Sequence, residues 1–377
     1  MTQWTEETVR EKVRAARTLV VKVGSSSLTD SSGHLDPERL GRLVGALSET
    51  ISMGARVVLV SSGAIAAGFG PLGFESRPLD VPTQQAAASV GQGLLMAQYE
   101  HEFSRYGVRV GQILLTAQDT IRSAQYRNAQ RTLRRLLDLG VVPIVNENDA
   151  LASNEIRFGD NDKLSSLVAN IVRADALILL TDVDGLYDRP PQQLGAQRIT
   201  YVPNVIKTLG DVVVGDSTSG VGTGGMRTKL DAVRVAARSG IPSVLTSAVN
   251  AGPALMGDDV GTSFAPLKHK STSKRLWIGF ASNPRGSLIV DDGAKKAVLG
   301  GKASLLAAGV MGASGEFSAG DPVFIADQNG KRLAKGLVGF DSEEIPQLVG
   351  KSTTQLEKEF GSEFGHPLVH RDDLVLL

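Results

Sequence analysis

Cysteine is absent from all 377 residues. That removes any disulfide framework, thiolate nucleophile or Cys-ligated zinc, and it fits a reducing compartment, with the cytoplasm as default. A charge surplus is missing too: 40 basic side chains face 40 acidic ones. Such a chain has no global field for gripping phosphate backbones or anionic lipid. No stretch reaches the roughly 18 apolar residues of a membrane span. The start of the chain, with Glu6, Glu7, Arg10, Glu11, Lys12 and Arg14, lacks the apolar core of a signal peptide. The expectation is a soluble chain with no membrane partner. Formal motifs are also scarce. There is no G-x-x-x-x-G-K-[ST], no G-x-S-x-G and no H-E-x-x-H, which argues against P-loop, serine-hydrolase and zincin chemistry. Gly68 to Gly73 spells G-x-G-x-x-G, but it contains a proline and lies well past its strand, so it reads as accidental.

What is present suggests two domains. From residue 18 to about 250, short β-branched runs alternate with longer Ala- and Leu-bearing stretches. Strands are predicted at Leu19 to Val23, Val57 to Val60, Val108 to Leu115, Val141 to Val145, Leu177 to Leu180 and Ser243 to Thr246. Helices are predicted at Pro37 to Met53, Gln84 to Tyr106, Ala124 to Leu139, Ser165 to Arg173 and Met226 to Ser239, and Val9, Val13 and Ala16 mark a short amphipathic helix before the first strand. Alternating strand and helix implies a three-layer α/β/α sandwich around a mostly parallel sheet. Between 250 and 275 the pattern breaks into glycine-rich and basic turns. Beyond it, Ser287 to Val290, Val323 to Ala326 and Leu333 to Phe340, with one helical piece at Ala294 to Leu299, suggest a small β-rich module. The expected division is a catalytic domain over residues 1–266, a linker over 267–274 and a β-rich domain with its tail over 275–377.

Ligands of open parallel sheets bind beyond the carboxyl ends of the strands. Five of those ends are polar or glycine-rich: Gly24-Ser25-Ser26-Ser27, Ser61-Ser62-Gly63-Ala64, Asn146-Glu147-Asn148-Asp149, Thr181-Asp182-Val183-Asp184-Gly185, and the run from Gly222 to Lys229. Glycines and small hydroxyl residues let backbone N–H groups approach an anion, and a helix starting there adds its positive end. The plainer alternative for any one loop is a connector. Lys22 lies inside an apolar strand, where a charge is costly unless partnered; otherwise it snorkels at a strand edge. Lys229, taken alone, is an ordinary surface helix residue. Asp160-Asn161-Asp162-Lys163 precedes the predicted helix, and one aspartate could simply cap it. His366 and His370 stand at helical spacing and read as a surface pair.

On these residues the chain resembles the amino acid kinase family over nearly its full length. The matching stretches are Val20-Val21-Lys22-Val23-Gly24-Ser25, Val60 to Gly68, Gln85 to Gln92, Val142 to Asp149, Phe158 to Asp162, Leu180 to Tyr187 and Gly222 to Lys229. Arg285 to Leu288, Asp291 to Ala294, and Ser304 to Leu306 with Gly309-Val310 are similar to a PUA domain. The resemblance points to the glutamate-phosphorylating branch of the family. It implies ATP-dependent phosphorylation of the γ-carboxylate of L-glutamate, the first committed step toward proline, with Mg²⁺ as cofactor and proline as feedback inhibitor. It also implies a homo-oligomer and a hand-off of product to glutamyl phosphate reductase. By the family pattern Lys22, Lys229 and Asp162 are catalytic, and Ser62, Asp149 and Asn161 hold the amino acid. ATP is held by Lys22, Thr181, Asp182, Thr223, Gly224, Gly225, Met226, Arg227, Thr228 and Lys229. The departures are about a dozen extra residues before the first strand and Gln84 where a lysine is common.

The chemistry agrees from below. The attacking carboxylate is already ionised at neutral pH, so no histidine-centred base is needed. Two lysines, Mg²⁺ and glycine-loop N–H donors can stabilise the moving phosphoryl group. Asp162 is expected to orient the lysines or the waters of the metal rather than cage it. Asp149 could accept from an α-ammonium, which favours a free amino acid over an N-acetylated one. The alternatives are a sibling kinase for acetylglutamate, aspartate or UMP, and an RNA-binding or RNA-modifying protein acting through the C-terminal module. Residues 270–377 carry equal numbers of basic and acidic side chains, which lacks the basic footprint of an RNA-binding surface.

Overall fold

In the computed structural model the described residues are 4–30, 32–74, 80–116, 118–120, 123–150, 161–208, 225–267, 275, 278–279, 284–301 and 303–377. The chain divides into two compact units, Met1–Ser273 and Lys274–Leu377.

The first unit opens with α1 (Glu6–Arg14), capped by Thr5 and followed by β1 (Thr18–Val23). Then come α2 (Pro37–Ser52), β2 (Arg56–Ser61), the one-turn helices α3 (Ala64–Ala67) and α4 (Phe69–Leu72), and α5 (Val81–Ser104). Next in order are β3 (Arg109–Leu115), α6 (Ser123–Asp138), β4 (Val141–Glu147), α7 (Asn161–Val172) and β5 (Ala176–Thr181). A small hairpin of β6 (Leu186–Tyr187) and β7 (Arg198–Ile199) leads to β8 (Tyr201–Val202), α8 (Val205–Thr208), α9 (Met226–Arg238), β9 (Ser243–Ser247), α10 (Ala251–Leu255) and β10 (Thr262–Phe264).

Eight of these strands form one sheet in the order β3-β4-β2-β1-β5-β9-β10-β8, in which only the β9/β10 pair runs antiparallel. Helices α2, α5 and α10 pack together on one face, and α6, α7 and α9 on the other. This is the α/β/α sandwich implied by the sequence. β1 lies near the middle, and all six of its residues are buried. Leu19, Val21 and Val23 belong to the core shared with α2 and α5. Alternation along the strand sends Val20 and Lys22 to the α7 face.

The register aligns Lys22 with Val60 of β2 and Leu179 of β5, and aligns Val60 with Val145 of β4. One step further along, Val23, Ser61, Asn146 and Leu180 therefore make a common rim. Chain connections lead from β1 toward β2 on one side, whereas β5 begins the other half of the sheet. The β1/β5 junction is thus the switch point at which such sheets open a crevice.

Two glycine features shape this rim. Gly63 sits at φ 113°, a left-handed conformation that side chains disfavour, so β2 can turn abruptly into α3. A Cβ on Gly91 would lie 1.9 Å from the Ala64 carbonyl oxygen, and one on Gly68 would lie 2.2 Å from that of Ala87. Backbone contact of α3 with α5 thus depends on both glycines.

Predicted elements recur within a few residues, with one consequential shift. The helix expected from Ser165 begins at Asn161, so Asn161 and Asp162 lie in its first turn and not in a preceding loop. The short strands β8, at the sheet edge, and β10, next to it, are additional.

In the second unit β11 (Gly286–Val290), β12 (Val310–Gly315), β13 (Pro322–Asp327), β14 (Arg332–Val338) and β15 (Val369–Leu376) form a separate sheet ordered β12-β11-β13-β14-β15. Leu288, Val323, Ile325 and Val338 anchor its core. Helix Thr353–Phe360 starts on a reciprocal Ser352/Gln355 cap, a pattern visible in the sequence. The helical spacing of His366 and His370 is not realised: His366 stacks on Phe340 at 4.3 Å, and His370 lies in β15.

Gly91→Ala is expected to force α3 and α5 apart and to cost about 1–3 kcal/mol of stability, read as a lower urea midpoint.

Candidate active site

Lys22 cannot be a snorkelling residue, because its side chain is only 3% exposed. Its ammonium meets Asp162 Oδ1 at 2.5 Å. Lys229, in the first turn of α9, meets the other oxygen, Oδ2, at 3.4 Å, and its side chain is also buried. The hydroxyl of Thr228 donates to the same Oδ2 at 3.0 Å. One buried carboxylate therefore gathers two cations from different elements, β1 and α9. The pairing compensates the desolvation of all three groups.

Helix α9 contributes more than a lysine. Its N-cap is Gly225, with no capping side chain and no acidic residue in the first turn. Exposed N–H groups and the positive end of the helix dipole thus face the same region. Met226 is half-buried and Arg227 exposed. Thr223 and Gly224, expected to continue this loop, lie outside the described residues, as does Asp160.

A second, uncharged constellation adjoins the first. The Asn161 amide, Nδ2, donates to the Ser61 carbonyl at 2.8 Å, to Ser62 Oγ at 2.9 Å and to Asn146 Oδ1 at 2.7 Å. Asn146 Nδ2 in turn donates to Gln92 Oε1 at 2.8 Å. Two buried polar atoms of this network, Asn161 Oδ1 and Gln92 Nε2, have no hydrogen-bond partner among the described residues. They offer one acceptor and one donor to a ligand, since buried polar groups rarely stay unsatisfied. Asn161 and Asp162 are consecutive in the first turn of α7, so that turn joins the neutral network to the charged one.

The expected residues thus fall into groups. Lys22, Asp162, Thr228 and Lys229 are in direct contact. Ser62 and Asn161 are bonded to each other. Asp149 is half-buried in the turn that follows β4, on the same rim. At the far side of β1, the hydroxyl of Thr181 donates to Asp182 Oδ1 at 2.8 Å at the end of β5, beside Ser247 of β9. Ser61 and Asn146, in strand ends that the sequence marks as polar, and Gln92, in a stretch matched by resemblance, join the site although the sequence assigned them no individual role. Gln92 lies mid-helix, and its part becomes legible only through packing.

Comparison with known proteins shows the family. Residues 17–247 match the amino acid kinase family and residues 286–360 match the PUA domain. A protein of Bifidobacterium longum named glutamate 5-kinase is 68% identical over 98% of this chain and 98% of its own. Glutamate 5-kinases of Streptomyces coelicolor and Thermobifida fusca are 54% and 55% identical over 98% of this chain, covering 98% and 95% of their own lengths.

Asp162→Asn should leave two buried ammonium groups facing each other and lower unfolding stability by about 3–5 kcal/mol. Lys229→Met, which leaves a one-to-one pair, should cost less in the same urea titration.

Proposed function

Since this chain belongs to the amino acid kinase family, with glutamate 5-kinases as relatives over almost its whole length, we infer that it phosphorylates L-glutamate with ATP. The product is L-glutamyl 5-phosphate, and the step opens proline biosynthesis. The observation that carries this reading in the fold is the buried cluster of two lysines on one aspartate. Two ammonium groups held close together suit a polyphosphate whose charge no single side chain can balance.

In our reading Lys22 and Lys229 bracket the transferred phosphoryl group, one from the sheet and one from α9, while Asp162 fixes the spacing of their ammonium tips. The start of α9, from Gly225 to Arg227, offers N–H donors to the phosphate oxygens, with the Thr228 hydroxyl beside them, a role shared with Thr223 and Gly224 in the expected loop. Thr181 and Asp182 line the nucleotide on the β5 side. The acceptor lies on the β2/β4 side. Ser62 and Asn161 position it, and Asp149 takes its α-ammonium, the group that an N-acetylated substrate lacks. Asn161 Oδ1 and Gln92 Nε2 complement a zwitterion, which brings both a donor and acceptors. No general base is assigned, because a glutamate side chain with a pKa of about 4.3 is ionised at neutral pH. Transfer is then a matter of alignment and charge neutralisation.

Mg²⁺ fits this donor set as an ion held largely by phosphate oxygens and water. Among the described residues no three carboxylate or imidazole groups form a cage, and Asp162 is already engaged by cations. When bound, it would neutralise phosphate charge. The resemblance alone supports three further parts of the reading: feedback inhibition by proline, a homo-oligomeric assembly, and passage of the labile acyl phosphate to glutamyl phosphate reductase. Location in the cytoplasm belongs to the same reading. Among the described residues no helix is long and apolar enough to cross a membrane.

The test is an assay of ADP release over a panel of amino acids, with hydroxylamine trapping of acyl phosphate. Glutamate should give both signals; release without a trapped hydroxamate would point to another acceptor. Lys229→Ala should lower kcat by about 10²–10³, with circular dichroism unchanged. Asp149→Ala should raise the glutamate KM far more than the ATP KM, and equal effects would refute its assignment.

A further inference from the structure

Tyr99 takes no part in the chemistry described so far. It lies on α5 with 0% exposure, packed against Phe103 in the core shared with β1 and β2. A phenol buried that deeply is costly unless its hydroxyl is bonded. Its partner is Ser61 Oγ at 2.7 Å, itself fully buried at the last position of β2.

The direction of this bond follows from proton counting. Ser61 Oγ has a single proton, and it donates that proton to the Ser62 carbonyl at 3.0 Å. Tyr99 is therefore the donor to Ser61. Burial pushes the Tyr99 phenol well above its ordinary pKa, against a smaller opposing effect of the Ser61 bond, so the donor persists across the neutral range. The end of β2 is thus held from both faces of the sheet. Asn161 of α7 grips the Ser61 carbonyl and Ser62 Oγ, and Tyr99 of α5 sets the Ser61 side chain and, through it, the Ser62 carbonyl. The Ser62 N–H also donates to the Val23 carbonyl of β1 at 3.2 Å, and just beyond is Gly63 in its left-handed turn.

We propose that Tyr99 is a positioning residue for the amino-acid acceptor: through Ser61 it orients Ser62 and the following peptide toward the substrate. The inference rests on the assignment of Ser62 to acceptor binding. An apolar Phe/Ala pair of similar shape could fill this part of the core, and exchanging both partners of a buried bond is often nearly neutral for stability. A purely structural pair would therefore be dispensable once both members were replaced.

The experiment measures steady-state kinetics and urea stability for Tyr99→Phe, Ser61→Ala, their double variant and Ser62→Ala. Tyr99→Phe should raise the glutamate KM about three- to tenfold, with kcat and the ATP KM within about twofold. The double variant should regain stability while keeping the raised glutamate KM. An unchanged glutamate KM in Tyr99→Phe, an equal rise in both KM values, or a double variant with wild-type KM would overturn the proposal. If Ser62→Ala raises the glutamate KM while Tyr99→Phe does not, the relay fails and the Ser62 assignment stands. If Ser62→Ala has no effect, the Ser62 assignment falls, and the relay with it.

Discussion

The contact on which the rest of the site depends is the carboxylate of Asp162 shared by the ammonium groups of Lys22 and Lys229. A lone lysine in the middle of a parallel sheet would be too costly to keep charged. Partnered, it becomes a fixed charge on a strand buried along its whole length. The second lysine arrives on a helix that starts some two hundred residues later in the chain, so the cluster ties together segments that local sequence order does not. One carboxylate holds both ammonium groups in place, each on its own oxygen.

Neighbouring that cluster is a network with no formal charge at all. Gln92, Asn146, Asn161 and Ser62 are linked by amide and hydroxyl groups, which bind by geometry more than by field strength. The two chemistries meet in consecutive residues of one helical turn. In the function proposed above, charge neutralisation falls on the β1/α9 side and recognition of the amino acid on the β2/β4 side, and Asn161 and Asp162 of α7 join the two.

Much of this was legible in the sequence. The parallel sheet follows from β-branched runs buried on both faces, and the rim follows from the polar residues that end those runs. Lys22 stood out because a charge inside Val20-Val21-Lys22-Val23 requires a partner. What was not legible has physical reasons. Lys229 looks like a surface residue in any local window, and only the packing of α9 against α7 buries it. The start of α7 was placed late because Asn161, Asp162 and Lys163 look like a loop when the site that binds their side chains is unknown. Gln92 and Tyr99 fall within a long helix whose inward face is set by tertiary contact. In the second unit β12 and β15 are edge strands, and the glycines of the one and charges of the other, apt for exposed edges, hide the alternation that marks a strand.

The adjacency of Asn161 and Asp162 bears on how such an enzyme can diversify. In the proposed reading, residues that choose the acceptor come largely from β2, β4 and α5, whereas those that move the phosphoryl group come from β1 and α9. Mutation on the first set can retune substrate choice while the transfer apparatus is inherited intact, provided the hinge residue pair between them is left alone. A shared scaffold with one engine and an exchangeable socket is what that arrangement makes available to evolution.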